Sequence, residues 1–371
     1  MVKLATISVA GFKSIRNLEL DLRPLNVLIG ANGAGKSNFI NVFRFVNQLV
    51  GGNLQLYLGR AGGADQILYY GSQTTDRLEL DFQFEVGEGL INGYRCALVP
   101  AVGDTLVFED ETAYFHDRNK YSRPFDESAG SGHAESKLAP LAHNQSRVAR
   151  YALQAMQSWQ IYHFHDTTDT AKVKQTGDLD DNRLLRPDAS NLAAYLYYLQ
   201  ERHAAHYRNI VDTIRLAAPF FGDFTLRPNP LNLNKIKLEW QEKGSDAYFD
   251  ASSLSDGTLR LMSLATLLLQ PVDRLPAVIL LDEPELGLHP YAITLLAELL
   301  RSTSAHTQIV VATQSVTLVN QFEPEDIVVV DRQDGQSVFK HLPADAIGTW
   351  LEDYGLGDLW EKNIFGGRPT L

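Results

Sequence analysis

Apolar residues first appear along the chain in short runs. Thr6 to Ala10, Leu18 to Leu22 and Leu25 to Gly30 are rich in β-formers and are separated by Gly11 and Pro24, which predicts three strands. The period then changes: Phe39, Ile40, Val42, Phe43, Val46 and Leu49 recur at three- and four-residue spacing, a helix that Gly51-Gly52 stops. Strand-like alternation returns at Leu78 to Val86 and Gly93 to Val99, and the polar stretch Asp126 to Ser136 reads as a mobile loop. Arg147 to Trp159 and Ser190 to Ala217 carry helical periodicity around the polar, acidic stretch Asp166 to Asp188, so this region reads as a helical insertion. Beyond Pro228 and Pro230, strands are expected at Lys235 to Trp240, Ala277 to Leu281, Gln308 to Ala312 and Asp326 to Asp331. Helices are expected at Thr258 to Leu269 and Pro290 to Arg301. Strand and helix in alternation argue for a parallel sheet covered on both faces. Neither a 20- to 50-residue repeat nor an extended heptad run is visible.

Composition narrows the function classes. The 371 residues are 44% hydrophobic and 21% charged, ordinary for a folded chain, and the formal net charge of -12 repels a phosphate backbone, so any DNA contact requires a local patch. No signal-peptide run follows the N-terminus. The longest apolar stretches, Leu261 to Leu269 and Ala277 to Leu281, are far short of the ~20 residues of a membrane span, so membrane insertion is not expected. A single cysteine, Cys96, fits a reducing compartment, and the expected location is cytoplasmic.

Between a predicted strand and a predicted helix lies Gly30-Ala31-Asn32-Gly33-Ala34-Gly35-Lys36-Ser37, a P-loop pattern followed by Asn38. Its glycines let consecutive backbone N–H groups face phosphate oxygens, with the positive end of the helix behind them. Lys36 is expected on the β- and γ-phosphates of ATP and Ser37 on Mg²⁺. The apolar strand Val278-Ile279-Leu280-Leu281 ends in Asp282-Glu283-Pro284, which brings two carboxylates to the carboxyl edge of the sheet. Asp282 suits Mg²⁺, and Glu283 suits the general base acting on the water that attacks the γ-phosphate.

A third segment, Leu254-Ser255-Asp256-Gly257-Thr258, opens a predicted helix 25 residues ahead of that strand end. The order P-loop, Leu-Ser-Asp-Gly-Thr, Asp-Glu-Pro resembles the ABC ATPases, with the third segment in the place of their signature. Gly11-Phe12-Lys13-Ser14-Ile15 and Glu285-Leu286-Gly287-Leu288-His289-Pro290 make the chain similar to the SMC and RecF branch, most closely the compact AAA-21 type ATPases linked to DNA maintenance and anti-phage defence. The resemblance implies an α/β P-loop NTPase fold: an ABC head with an antiparallel β-subdomain and an inserted, mainly helical lid. It divides the chain into an N-terminal lobe (1–88), an inserted β/helical region (89–228), a C-terminal lobe (229–345) and an aromatic tail (346–371). It further implies a homodimer closed around ATP and Mg²⁺, in which Ser255 and Gly257 of one subunit meet the γ-phosphate held by the other. Such a switch gates a separately encoded effector or clamps DNA; a transporter subunit and a non-hydrolysing ATP-bound scaffold are the alternatives. The chain departs from the family where a switch histidine is usual: Val311-Ala312-Thr313-Gln314-Ser315 puts Gln314 there, and an amide that donates a hydrogen bond but takes up no proton or charge implies slow turnover. The Q-loop glutamine is either Gln66 or Gln73.

Weaker signals have simpler readings. His163-Phe164-His165-Asp166 has metal-ligand residue types but no companion cluster; Asp178-Leu179-Asp180-Asp181 reads as a solvated loop rather than a nuclease centre; Arg118 to Arg123 reads as a solvated face. The tail residues Trp350, Leu351, Tyr354, Leu356, Leu359, Trp360, Ile364 and Phe365 either pack on the core or dock a partner, with packing favoured.

Overall fold

A computed structural model of the chain describes residues 3–343, 350 and 353–367. Two six-stranded sheets carry the architecture. The antiparallel sheet contains β1 (Lys3–Phe12), β2 (Ile15–Asp21), β4 (Leu78–Gly87), β5 (Leu90–Ala101), β6 (Thr105–Asp117) and β7 (Phe125–Gly130) in the order β2-β1-β4-β5-β6-β7. In β1, β2 and β4 buried and accessible positions largely alternate, as expected of a sheet with one face on a core. The central sheet differs. Its strands are β3 (Leu25–Ile29), β8 (Trp159–Tyr162), β15 (Val278–Asp282), β16 (Gln308–Thr313), β17 (Ile327–Gln333) and β18 (Gln336–His341), ordered β18-β17-β3-β16-β15-β8. The strands from β17 to β8 run parallel, and only β18 is antiparallel to its neighbour. β3 and β16 are buried at every residue, which explains why their sequences are mostly apolar, with only Asn26, Gln308 and Thr313 polar.

Helix α1 (Lys36–Val50) lies between the two sheets. Phe45 meets Phe12 at 5.5 Å, Phe43 meets Trp159 at 5.0 Å, and Phe39 meets Phe339 at 5.4 Å between ring centroids. Each such side chain contributes about 1.5–3 kcal/mol by burial. On the opposite face of the central sheet, α5 (Leu192–Arg202), α6 (Ala204–Ala217), α7 (Asp256–Leu269), α8 (Pro290–Ser304) and α9 (Val316–Val319) build a second core. The long periodic stretch Ser190 to Ala217 is thus two helices, broken at His203. Short strands accompany them in the lid: β9 (Gly177–Asp178) pairs with β12 (Asn232–Ile236), and β12 with β11 (Pro228–Asn229). Beside these, β13 (Glu239–Glu242) lies between β10 (Phe221–Phe224) and β14 (Tyr248–Asp250).

Three expectations need correction. Strands β5 to β7 continue the sheet begun by β1 and β4, so a boundary at residue 88 cuts through one sheet. The stretch Asp126 to Ser136 is not a free loop. Part of it forms β7, the Glu135 carboxylate accepts the backbone N–H groups of Leu54 and Gln55 at 2.8 and 2.9 Å, capping α2 (Leu54–Ala61) from afar, and Ser136 donates to the buried Glu111 at 2.5 Å. The helix begun at Arg147 stops at Gln157, and Trp159 opens β8, where pairing with β15 and packing between Phe43 and Phe82 outweigh helical periodicity.

In the tail, α10 (Leu356–Glu361) packs on α9 with Leu356, Leu359 and Trp360 buried. Trp350, Tyr354 and Ile364 remain exposed, and Leu351 and residues 346–349 lie outside the described residues.

Candidate functional site

β3 delivers the chain to the carboxyl edge of the central sheet, where it turns through Gly30–Gly35 into α1. The turn is seated against two other elements. A Cβ at Gly30 would lie 2.2 Å from the Val330 carbonyl oxygen, and one at Gly35, where φ is 122°, would lie 2.0 Å from the Ser337 hydroxyl. No larger residue fits either place. The Ser337 hydroxyl donates to the Ala34 carbonyl at 2.5 Å and lies 2.7 Å from the Ser14 hydroxyl, which accepts from the Asn38 amide at 2.7 Å. Asn38 therefore ties α1 to the Gly11–Ile15 turn, which serves as the back wall of the loop.

Lys36 is buried, and its ammonium donates to the carbonyls of Gly30 at 2.6 Å and Ala31 at 3.1 Å. Burial lowers its pKa, while Glu283, Asp282 and Glu285 pull it back up. The Ser37 side chain lies beside the Asp282 carboxylate at the end of β15 and favours its ionised form. Burial and the adjacent Glu283 raise the pKa of Asp282; Ser37, His165 and Lys36 act in the opposite sense. A divalent cation on Ser37 and Asp282 would favour the ionised carboxylate in the same way.

Glu283 takes φ 43°, an uncommon conformation that turns its side chain off the strand, and its own N–H donates to the Ala312 carbonyl at 2.8 Å. One amide joins it to the P-loop. Gln314 Nε2 donates to Glu283 Oε1 and to Asn32 Oδ1, both at 2.6 Å. Lys36, Ser37, Asn32, Gly33, Gly35, Asn38, Glu283 and Gln314 line one cavity of about 190 Å³. The cradle fits a phosphate chain: at Gly33, with φ 79°, open space extends 4 Å from the position of a Cβ, and the buried Lys36 cation, the Ser37 hydroxyl and the Glu283 carboxylate line the same cavity at the start of α1.

The other expected residues lie elsewhere. Ser255 caps α7, its hydroxyl accepting the Thr258 N–H at 3.2 Å, and neither Ser255 nor Gly257 lines the P-loop cavity. Gly257 has a neighbour within its own chain: a Cβ there would lie 2.2 Å from the Gly287 carbonyl oxygen. The signature turn is thus packed against the segment that follows Glu283. Gln66 lies in a 3-10 turn and Gln73 in an exposed turn, and neither lines the cavity.

Three contributors were not assigned to the site from sequence. Glu285 is buried, accepts the Thr313 hydroxyl at 2.5 Å, and has its pKa raised by burial. His165 follows β8, the neighbour of β15, and lies near enough to Asp282 to favour its ionised form. Arg260, buried on α7, donates to the carbonyls of Phe164 at 2.9 Å and His165 at 3.5 Å, fastening that segment to the signature helix. The His163-to-Asp166 segment therefore does not stand apart from the site, although no group of three or more metal-ligating side chains forms among the described residues. A third acid after Asp-Glu-Pro was the one legible signal; only sheet order reveals His165. The remaining acid cluster is ion-paired at the surface, Asp178 with Lys235 and Asp181 with Arg186.

Comparison with known proteins agrees with this geometry. The family model described as "AAA domain, putative AbiEii toxin, Type IV TA system" matches residues 25–320. The fold is similar to an SMC head bound to the C-winged helix domain of ScpA, with TM-score 0.61 and 17% identity over 92% of this chain and 98% of that one. It is also similar to an SMC head with an extended coiled coil bound to the C-terminal domain of ScpA, from Pyrococcus furiosus. There the TM-score is 0.62 and the identity 15%, over 95% and 99% of the two chains. No curated protein matches in sequence. No described helix is long and apolar enough to cross a membrane.

Proposed function

Because the chain belongs to the AAA domain family with putative AbiEii toxins and has the fold of SMC heads, we propose that it is an ATP-hydrolysing switch that closes as a homodimer around Mg²⁺-ATP. The observation that carries the chemistry is the Gln314 amide spanning Asn32 and Glu283, beside the Ser37–Asp282 pair. With nucleotide on the loop, Lys36 turns from the Gly30 and Ala31 carbonyls to the β- and γ-phosphates, and Ser37 and Asp282 hold Mg²⁺, which supplies charge neutralisation. Glu283 accepts the proton of the attacking water. Gln314 orients that water or the γ-phosphate by hydrogen bonds alone; an amide carries no charge, and turnover is slow.

The position of the signature turn supports the dimer reading. Ser255 and the first turn of α7 present an exposed helix N-terminus away from their own P-loop, and they complete the site of a second copy. Hydrolysis then reopens the pair, coupling chemistry to shape. Of the uses open to such a switch, gating an effector protein in a DNA-repair or anti-phage system fits the net charge of -12 better than clamping DNA does.

The test is the solution mass of the Glu283→Gln chain by light scattering. A dimer is expected with Mg²⁺-ATP, a monomer without it, and a monomer in both conditions when Ser255→Arg is added. A mass indifferent to both ATP and Ser255→Arg sinks the reading.

A further inference from the structure

Lys174 ends a 3-10 turn (Lys172–Lys174) of the lid that packs against Ala251–Ser253, the turn leading into the signature. Its side chain is only 5% exposed, yet its ammonium donates to no group among the described residues and is not sealed from solvent. Among the described residues the one opposite charge within 4.0 Å is Asp256 Oδ1. Asp256 is the first residue of α7, next to the Ser255 cap, and is itself 67% exposed. Burying the stem of a lysine while leaving its charge without a hydrogen bond is unfavourable in isolation. Arranged in this way, the charge is held ready for an anion at the head of α7.

Asp256 makes such a charge necessary. A carboxylate in the first turn stabilises the helix, but it also sets a negative charge where an incoming phosphate must approach. The helix dipole alone, equivalent to roughly half a charge, does not offset a full one. We propose that Lys174 is the signature-side cation of the composite site, offsetting Asp256 and contacting the γ-phosphate of ATP bound to the partner subunit. This inference rests on the homodimer reading above. It places a lid residue in contact with nucleotide held by the other copy, so the lid takes part in closure.

The experiment uses full-length chains and inter-subunit complementation. Lys174→Met is expected to lower ATPase activity about tenfold or more, in line with loss of one partner of a desolvated charge pair, while a fluorescent ATP analogue still binds the P-loop of the variant with unchanged affinity. Lys174→Arg retains activity, and adding Asp256→Asn to Lys174→Met restores part of it. Mixing Lys174→Met with Lys36→Ala, each impaired alone, raises activity above the sum of the two, because one of the two sites then combines an intact P-loop with an intact Lys174. Ser255→Ala mixed with Lys36→Ala is the control for the composite site itself. Rescue in the control but not in the Lys174 pair overturns the role of Lys174 and leaves the dimer standing; rescue in neither overturns both. Full activity of Lys174→Met also overturns the proposal. Should melting show that Lys174→Met is unfolded, Lys174→Gln takes its place.

Discussion

Glu285 is a carboxylate held in a place that disfavours its charge. Burial raises its pKa from the ordinary 4.5, and one oxygen has no hydrogen-bond partner among the described residues while the other accepts from Thr313. Folding therefore favours the protonated form. Its contribution to stability is present below the unfolded value and is lost as the pH rises through the elevated folded value. Glu285→Gln removes the charge and keeps the shape. Urea denaturation at pH 5 and pH 8 should show the variant gaining stability over the parent at pH 8 and little at pH 5. A larger gain at pH 5 contradicts the assignment. Retaining such a residue beside Glu283 and Thr313 is the kind of stability cost that sites impose. Gln314, in contrast, costs nothing in charge, and its two 2.6 Å hydrogen bonds fix the P-loop and Glu283 relative to each other before nucleotide arrives.

At the scale of elements, the signature helix and the segment after β15 behave as one body. α7 begins at a Ser255 cap, and its second residue, Gly257, meets Gly287, itself at φ 77°. Gly257→Ala forces a Cβ into the 2.2 Å gap to the Gly287 carbonyl, so one of the two segments must shift. The expected cost is about 1–3 kcal/mol, as for other overpacked sites. It should appear as a lower urea midpoint together with loss of the proposed ATP-dependent dimer, while nucleotide binding to the P-loop persists. Equal weakening of P-loop binding would mean that the two segments are not separable from the Walker loop. Arg260 extends the same body to the end of β8 through the carbonyls of Phe164 and His165, so a displacement of α7 is felt beside Asp282.

At the scale of the whole molecule, α1 is clamped between two sheets, and the tail closes the far side. Trp360 is buried within the core that includes Leu318, Val319 and Val329, and Gly367 comes back against Trp360 and Gly30, the first residue of the P-loop. Packing, the favoured reading of the tail, holds for α10, while the exposed Trp350, Tyr354 and Ile364 leave its outer face apolar. Trp360→Ala should destabilise the protein by about 3–5 kcal/mol, measured by chemical denaturation; a change below about 1 kcal/mol would mean that the tail contributes little to the fold.

The sequence by itself determined the parts whose chemistry is local. The P-loop glycines, Lys36-Ser37 and the apolar strand ending in Asp282-Glu283 are contiguous, and the period of two or 3.6 around them fixes the strand–loop–helix context. The Ser255 cap is equally local. Tertiary structure alone decided what depends on distant partners. Trp159 entered a strand because β15 was there to pair with it; Asp126 to Ser136 was ordered by β6, Glu111 and α2; His165 and Lys174 reached Asp282 and Asp256 through sheet order and lid packing. Periodicity records the face a residue buries, not the element that covers it, so a site assembled from contiguous motifs is legible in the chain, and the residues that brace it from elsewhere become visible only when the chain is folded.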